Sequence, residues 1–263
     1  MNRHDDKTNR DGLRALIEYG SQIVGGAAAN ALSIFAGDPS TALAFGAAGS
    51  AVGILFERLG QEISHRLLGP REKVRVGAVF ALAASKIKER LDNGDFLRSD
   101  GFFNLNAAGQ SAASEVAEHV LLKAQREPEE KKLPYMANLL ANAAFHDYVS
   151  AQMAHQLIKA AEQLTYRQLC ILRLGVVKHQ FGLRNSDYRG QTSFHNELLQ
   201  VLYECFDLYQ RAFIHFGGPV ALGPTDVVPA QMTPQGLGVH LYNLMELAEI
   251  PDEDLLPVAL QLK

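Results

Sequence analysis

The chain has few cysteines and no segment typical of export. Its two cysteines, Cys170 and Cys205, fall within apolar helical patterns and have no C-x-x-C spacing. We therefore expect both to be reduced core residues of a cytosolic protein. The first seven residues are polar and carry charges of both signs, unlike a secretory signal peptide. We accordingly predict a cytoplasmic protein that meets the inner membrane, if at all, from the cytoplasmic side.

Motifs that define common reactions are also missing. The sequence contains no G-x-x-x-x-G-K-[ST], H-E-x-x-H, C-x-x-C or G-x-S-x-G. His146 and Asp147 do not share a helical face with His155, and Glu62 with His65 is one Glu-x-x-His where a binuclear site needs two. We therefore predict no catalytic residues, no metal and no cofactor, and we do not expect an enzyme.

Charge is almost absent between Gly20 and Phe56. Asp38 is the only charged residue in this stretch, and it lies in the turn-forming sequence Gly-Asp-Pro-Ser at 37–40. The flanking arms, 22–36 and 41–56, are rich in alanine and glycine. Each arm reaches about 24 Å as a helix, against about 30 Å for the hydrocarbon core of a bilayer. The segment 20–56 therefore predicts an apolar helical hairpin that is short for a membrane span.

Small residues recur at helical spacing in both arms. Such a stripe lets two helix backbones approach closely, as in membrane helix packing. An alanine- and glycine-rich pair of this length is also typical of the buried core of a soluble bundle, so both interpretations stay open. The candidate residues for helix packing or membrane contact are Gly25, Ala29, Ser33, Asp38, Gly46, Gly49 and Gly53.

Basic residues follow the hairpin. From Arg58 to Arg90 there are eight basic and three acidic residues, although the whole chain has a net charge of −4. A basic stretch beside an apolar hairpin suits an anionic membrane surface; it also suits an ordinary solvated helix face. The candidate contacts, which we expect on a solvated face, are Arg66, Arg71, Lys73 and Arg75.

Apolar periodicity predicts a mostly α-helical protein. After a polar tail at 1–10, a helical bundle at 11–163 contains the hairpin. Its later helices are predicted at 71–91, at 111–125, from Pro128 onward with Pro134 kinking or delaying the helix, and at 150–163.

The last hundred residues have a different character. A capping box at Thr165 and Gln168 begins one helix, and a second is predicted from 194 to 211. A short strand at 212–216 follows, and Thr233-Pro234 reads as the N-cap and first residue of a closing helix. This order predicts a small α+β winged-helix-like domain at 164–263.

Nucleic-acid binding by this domain is not expected. The helix in the recognition position has Glu197, Glu204 and Asp207 and no lysine or arginine, so a duplex would repel it. The nearby cations considered for phosphate contact are Arg184, Arg189 and Arg211. A protein partner is the better prediction, and a transcriptional regulator is the weaker alternative.

Two segments are similar to a known family. The run PEEKKLPYMANLLAN at 128–142 and the pattern L-T-x-x-Q-L-x-I-L at 164–172 resemble the Abi-alpha-like abortive-infection proteins of bacteria, and 232–241 matches more loosely. The resemblance implies a role in defence against phage and provides no catalytic residues. Our hypothesis is an antiphage effector that acts at the inner membrane as a homo-oligomer. The alternative is an adaptor or inhibitor without membrane activity.

Overall fold

The computed structural model describes residues 52–55, 58–59 and 68–263. This part of the protein is mostly helical and has one short antiparallel ribbon near the C-terminus, which confirms the predicted fold class. The tail at 1–10 and nearly all of the hairpin lie outside the described residues. The chain divides into two compact units, and the boundary falls between Glu162 and Gln163.

The first unit contains four consecutive long helices. We label them α1 (Pro70–Asp92), α2 (Ala112–Arg126), α3 (Leu133–Ala143) and α4 (Ala151–Gln163). A 3-10 turn, Glu130–Lys132, precedes α3. The helices α1, α2 and α4 begin and end within one residue of the predicted bounds, whereas α3 begins five residues later than predicted.

Local signals account for the ends of these helices. The Ser111 hydroxyl caps α2 by accepting from the backbone N–H of Ser114. Gly94, with φ of +91°, allows the chain to turn away after α1. Pro134 lies in the first turn of α3, where a missing N–H costs nothing. The predicted helix from Pro128 is therefore delayed to Leu133.

The core of the first unit is built around α3. Every residue of this helix is buried, and α1 and α2 both pack against it. Arg98 connects the segment after α1 to the end of α3. Its side chain is 2% exposed, and its Nη1 donates to the carbonyl oxygens of Ala143 at 3.2 Å and Val149 at 2.7 Å.

The second unit combines helices with the ribbon. Its elements are α5 (Tyr166–Val177), α6 (Asn196–Gln210), β1 (Ile214–His215), β2 (Thr233–Pro234), α7 (Leu237–Leu244) and α8 (Asp252–Gln261). The predicted capping box is confirmed, since Thr165 and Gln168 each accept the other's backbone N–H.

The prediction for Thr233-Pro234 was wrong. These two residues form β2, which pairs with β1 so that Ile214 lies opposite Pro234 and His215 opposite Thr233. The next helix begins only at Leu237, after Gly236 with φ of +50°. The pairing partner lies about twenty residues earlier in the chain, so a local cap signal could not reveal it.

Candidate functional site

Most residues predicted in the hairpin cannot be placed. Gly25, Ala29, Ser33, Asp38, Gly46 and Gly49 lie outside the described residues, as does Arg66. Gly53 is described and is buried within the helical stretch 52–55. In the portion of the chain that the structure describes, no helix has both the length and the apolar character needed to cross a membrane.

The remaining predicted basic residues lie at the start of α1. Arg71 and Lys73 are exposed, as expected for a solvated face. Arg75 differs from that expectation, because its side chain is only 14% exposed and its Nε lies 3.6 Å from a carboxylate oxygen of Glu130. Arg71 and Lys73 are therefore available to a charged surface, whereas Arg75 faces its own protein.

A hydrogen bond brings the end of α2 to the start of α1. Gln125 Nε2 donates to Glu72 Oε1 at 3.2 Å, and the backbone N–H of Gly69 donates to Glu72 Oε2 at 2.7 Å. These bonds, from Gly69 first and Gln125 second, lower the pKa of Glu72. The Glu72 carboxylate is thus ionised and already engaged by its neighbours.

A third exposed cation, Arg126, lies at the end of α2. It follows Gln125 directly, is exposed, and acts electrostatically on Glu72. Within the described residues, the side chains of Arg71, Lys73 and Arg126 have no hydrogen bond or ion pair. We call these three residues the basic face. Arg126 was not among the predicted contacts, because only the bond between Gln125 and Glu72 brings the end of α2 to the start of α1.

A groove of about 250 Å³ adjoins the basic face along α2. It is lined by His119, Leu122, Lys123 and Arg126, which have the i, i+3, i+4, i+7 spacing of one helix face. Leu122 is 40% exposed. Lys123 Nζ lies 2.7 Å from a carboxylate oxygen of Glu162 on α4, so this cation is paired within the unit.

Two histidines meet between α2 and α4. The Nδ1 atoms of His119 and His155 are 2.8 Å apart, and the ring centroids are separated by 5.0 Å. From the sequence we compared His155 with His146. The His146 ring instead lies beside Tyr148, with 5.2 Å between the ring centroids. His119 and His155 are 36 positions apart, and their spacing contains no signal that they meet.

The arginines considered for phosphate contact in the second unit have partners within that unit. The Arg184 guanidinium lies over the Tyr188 ring at 4.5 Å. The other two form ion pairs, Arg189 with Asp226 at 2.5 Å and Arg211 with Asp207 at 3.1 Å. These cations are therefore used to hold loops and helix ends of their own unit.

In the described residues, the histidine, acidic and cysteine side chains form neither a metal-binding cluster nor a reactive thiol. Among residues 52–55, 58–59 and 68–263, no three His, Cys, Asp or Glu side chains converge to hold a metal ion. Cys170 and Cys205 are buried and form no disulfide, as predicted. Burial raises the pKa of the Cys205 thiol, which keeps it protonated and a poor nucleophile.

Comparison with protein-family models, curated proteins and solved structures finds no match for this chain. The class that the fold defines is a mostly helical protein of two units, whose first unit carries three exposed cations that form no ion pair among the described residues.

Proposed function

We propose that this protein is an antiphage defence effector of the abortive-infection type, which acts at the inner membrane as an oligomer. The resemblance of segments 128–142 and 164–172 to abortive-infection proteins supports the defence role. The apolar hairpin and the basic stretch that follows it support action at a membrane. In this proposal the basic face docks on anionic lipid, and the hairpin then enters the bilayer or packs against other copies.

The observation that carries the proposal is that the three cations of the basic face form no ion pair among the described residues. Glu72, which lies between Arg71 and Lys73 in the sequence, is held by Gly69 and Gln125, while Arg71, Lys73 and Arg126 are exposed. Each lysine or arginine near an anionic membrane contributes about 1 kcal/mol, so three of them contribute about 3 kcal/mol at low ionic strength. That is enough for weak, salt-dependent docking and too little for permanent attachment.

Vesicle binding by the full-length protein tests the docking step. We expect wild type to bind phosphatidylglycerol vesicles and not neutral phosphatidylcholine vesicles, and salt to weaken binding. Arg71→Glu/Lys73→Glu/Arg126→Glu should reduce the affinity more than a hundredfold. Lys159→Glu, an exposed charge reversal on α4, is the matched control and should have a much smaller effect. Equal binding to both vesicle types, or no binding by wild type, would remove docking from the proposal.

Phage challenge tests the biological role. A bacterial host that expresses wild type should give fewer plaques than a host with an empty vector, and infected cells should die before they release phage. The triple variant should restore plaque formation if docking is required. Normal plaque numbers with wild type across a broad phage panel would contradict the defence role.

A second candidate is a protein-interaction adaptor or inhibitor without membrane activity. It is favoured by apolar side chains on the second unit: Leu256 and Leu260, one turn apart on α8, are 49% and 63% exposed. Fractionation of cells into membrane and cytosol before and after phage challenge separates the candidates. Movement to the membrane fraction favours the effector, and a constant cytosolic position favours the adaptor.

A further inference from the structure

The contact between α2 and α4 contains two polar pairs. His119 and Lys123 are one turn apart on α2, and they meet His155 and Glu162, which are two turns apart on α4. The histidine pair brings Nδ1 to Nδ1 at 2.8 Å, a hydrogen-bond distance. Neither ring is fully exposed. The two pairs therefore hold α2 and α4 together at two places.

A hydrogen bond between two imidazoles requires an unprotonated nitrogen on one of them. In the neutral pair, one ring donates through Nδ1–H and the other accepts at Nδ1. A single proton added to the pair keeps this bond and makes it charge-assisted. A second proton leaves two N–H groups and two positive charges facing each other across 2.8 Å. The contact then becomes repulsive.

We propose that His119 and His155 form a proton-operated latch, which holds α4 on α2 while one ring is neutral and releases it when both rings are protonated.

The surroundings of the pair favour release over a range of mild acidity. The pKa of His119 is lowered first by burial, then by the charge of His155 and then by that of Lys123. Glu162 on α4 raises it. From α1 and α3, which also pack against α2, no charged group of the described residues acts on His119. The hydrogen bond between the rings is lost when the second proton binds, so the latched form resists that proton.

The direction of the effect follows from proton counts. The released form, with separated rings, binds the second proton more readily than the latched form. Since it holds one more proton, the opening constant increases about tenfold for each pH unit below the ordinary histidine pKa. The ion pair of Lys123 with Glu162 is a second contact between these helices, near the end of α4, so the latch acts on the part of α4 around His155.

Hydrogen–deuterium exchange on the full-length protein tests the latch. After correction for intrinsic exchange rates, we expect protection of 151–163 to decrease about tenfold or more between pH 7 and pH 5, while protection in the buried part of α1 stays constant. His119→Asn and His155→Asn keep a hydrogen-bonding group near the Nδ1 position but do not titrate. Both should abolish the pH dependence at α4.

His146→Asn is the matched control, because it removes another half-buried imidazole of the same unit and leaves the pair intact. It should preserve the pH dependence at α4. Equal protection of α4 at both pH values in wild type would overturn the proposal, as would pH dependence that survives in His119→Asn or disappears in His146→Asn.

A measurement on wild type alone covers the case in which these variants do not fold. Nitrogen-15 NMR of the imidazoles at pH 7.5 should show opposite tautomers for His119 and His155, one with Nδ1–H and one with Nε2–H. The same tautomer in both rings would contradict the latch.

Discussion

At the scale of single residues, a deeply buried ion pair lies just before α3. Lys132 and Glu127 have side chains that are 2% and 3% exposed, and Lys132 Nζ lies 2.5 Å from Glu127 Oε2. Glu127 Oε1 also accepts the backbone N–H of Glu129 at 3.0 Å. Each charge compensates the other in a place that water does not reach. The pair therefore fixes the conformation of the chain just before α3.

Removing one member of this pair should be far more harmful than removing both. Lys132→Met leaves the Glu127 carboxylate buried without its cation, and we expect a loss of about 3–5 kcal/mol in the free energy of unfolding. Lys132→Met/Glu127→Leu should recover most of that loss, because no uncompensated charge remains. Urea unfolding followed by circular dichroism measures both values. A double variant as unstable as the single one would show that the pair is not the cause.

The loop before β2 should show acid-dependent stability. Asp226 is bound by Arg189 and accepts the backbone N–H groups of Leu222 and Gly223, and these contacts, Arg189 first, lower the pKa of Asp226 to about 2. Its stabilising effect is therefore complete above the unfolded carboxyl pKa of about 3.9 and is lost as pH falls through about 2.

Asp226→Asn tests this pH dependence. The variant should melt at a lower temperature than wild type at pH 7, and the difference should disappear as pH approaches 2. Because Arg189 is 59% exposed, high salt should reduce the difference at pH 7. Thermal melts at several pH values provide the measurement. A difference in Tm that is constant from pH 7 to pH 2 would assign the effect to something other than the carboxylate charge.

At the scale of elements, the entry to α7 depends on one close backbone approach. A Cβ added to Gly238 would lie 2.1 Å from the carbonyl oxygen of Phe213, which also accepts the backbone N–H of Gln235 at 2.8 Å. Phe213 directly precedes β1, so this contact positions the ribbon against the start of α7. A glycine is needed at 238 because the approach leaves no room for a side chain.

Gly238→Ala should therefore destabilise the second unit. Overpacking of this kind costs about 1–3 kcal/mol, and backbone on the opposing side cannot yield as a flexible side chain would. Gly190→Ala is the matched control, since an added Cβ there meets nothing within 4 Å and the backbone is not left-handed. Chemical denaturation of both variants should show a loss only for Gly238→Ala. Equal stability of the two variants would mean that α7 can shift to accept the methyl group.

At the scale of the whole molecule, the two proposed functions differ in what they predict for the hairpin tip. If the arms enter the membrane, Asp38 must cross the bilayer at a cost of about 2.5–3.5 kcal/mol. Asp38→Asn should then increase toxicity to the host, and insertion of Lys-Lys at the tip should decrease it. Growth and membrane permeability of expressing cells measure both effects. Equal growth and permeability for the three proteins would exclude insertion and favour the adaptor.

Local chemistry in the sequence determined most helix positions. Periodic apolar residues predicted the helices that the structure describes in the first unit, and the capping box at Thr165 and Gln168 marks the start of α5. These features were predictable because helix formation and capping involve residues only a few positions apart. The same reasoning correctly placed both cysteines in the core, since apolar periodicity also reports which side of a helix is buried.

Tertiary structure alone decided the features that join distant residues. Four features join residues between 18 and 55 positions apart: the strand at Thr233–Pro234, the pairing of Arg75 with Glu130, the addition of Arg126 to the basic face and the contact of His119 with His155. Sequence periodicity assigns a residue to a face but does not identify the face packed against it. The positions and types of the helices thus follow from the chain itself, whereas the charged and titratable contacts follow from how those helices pack.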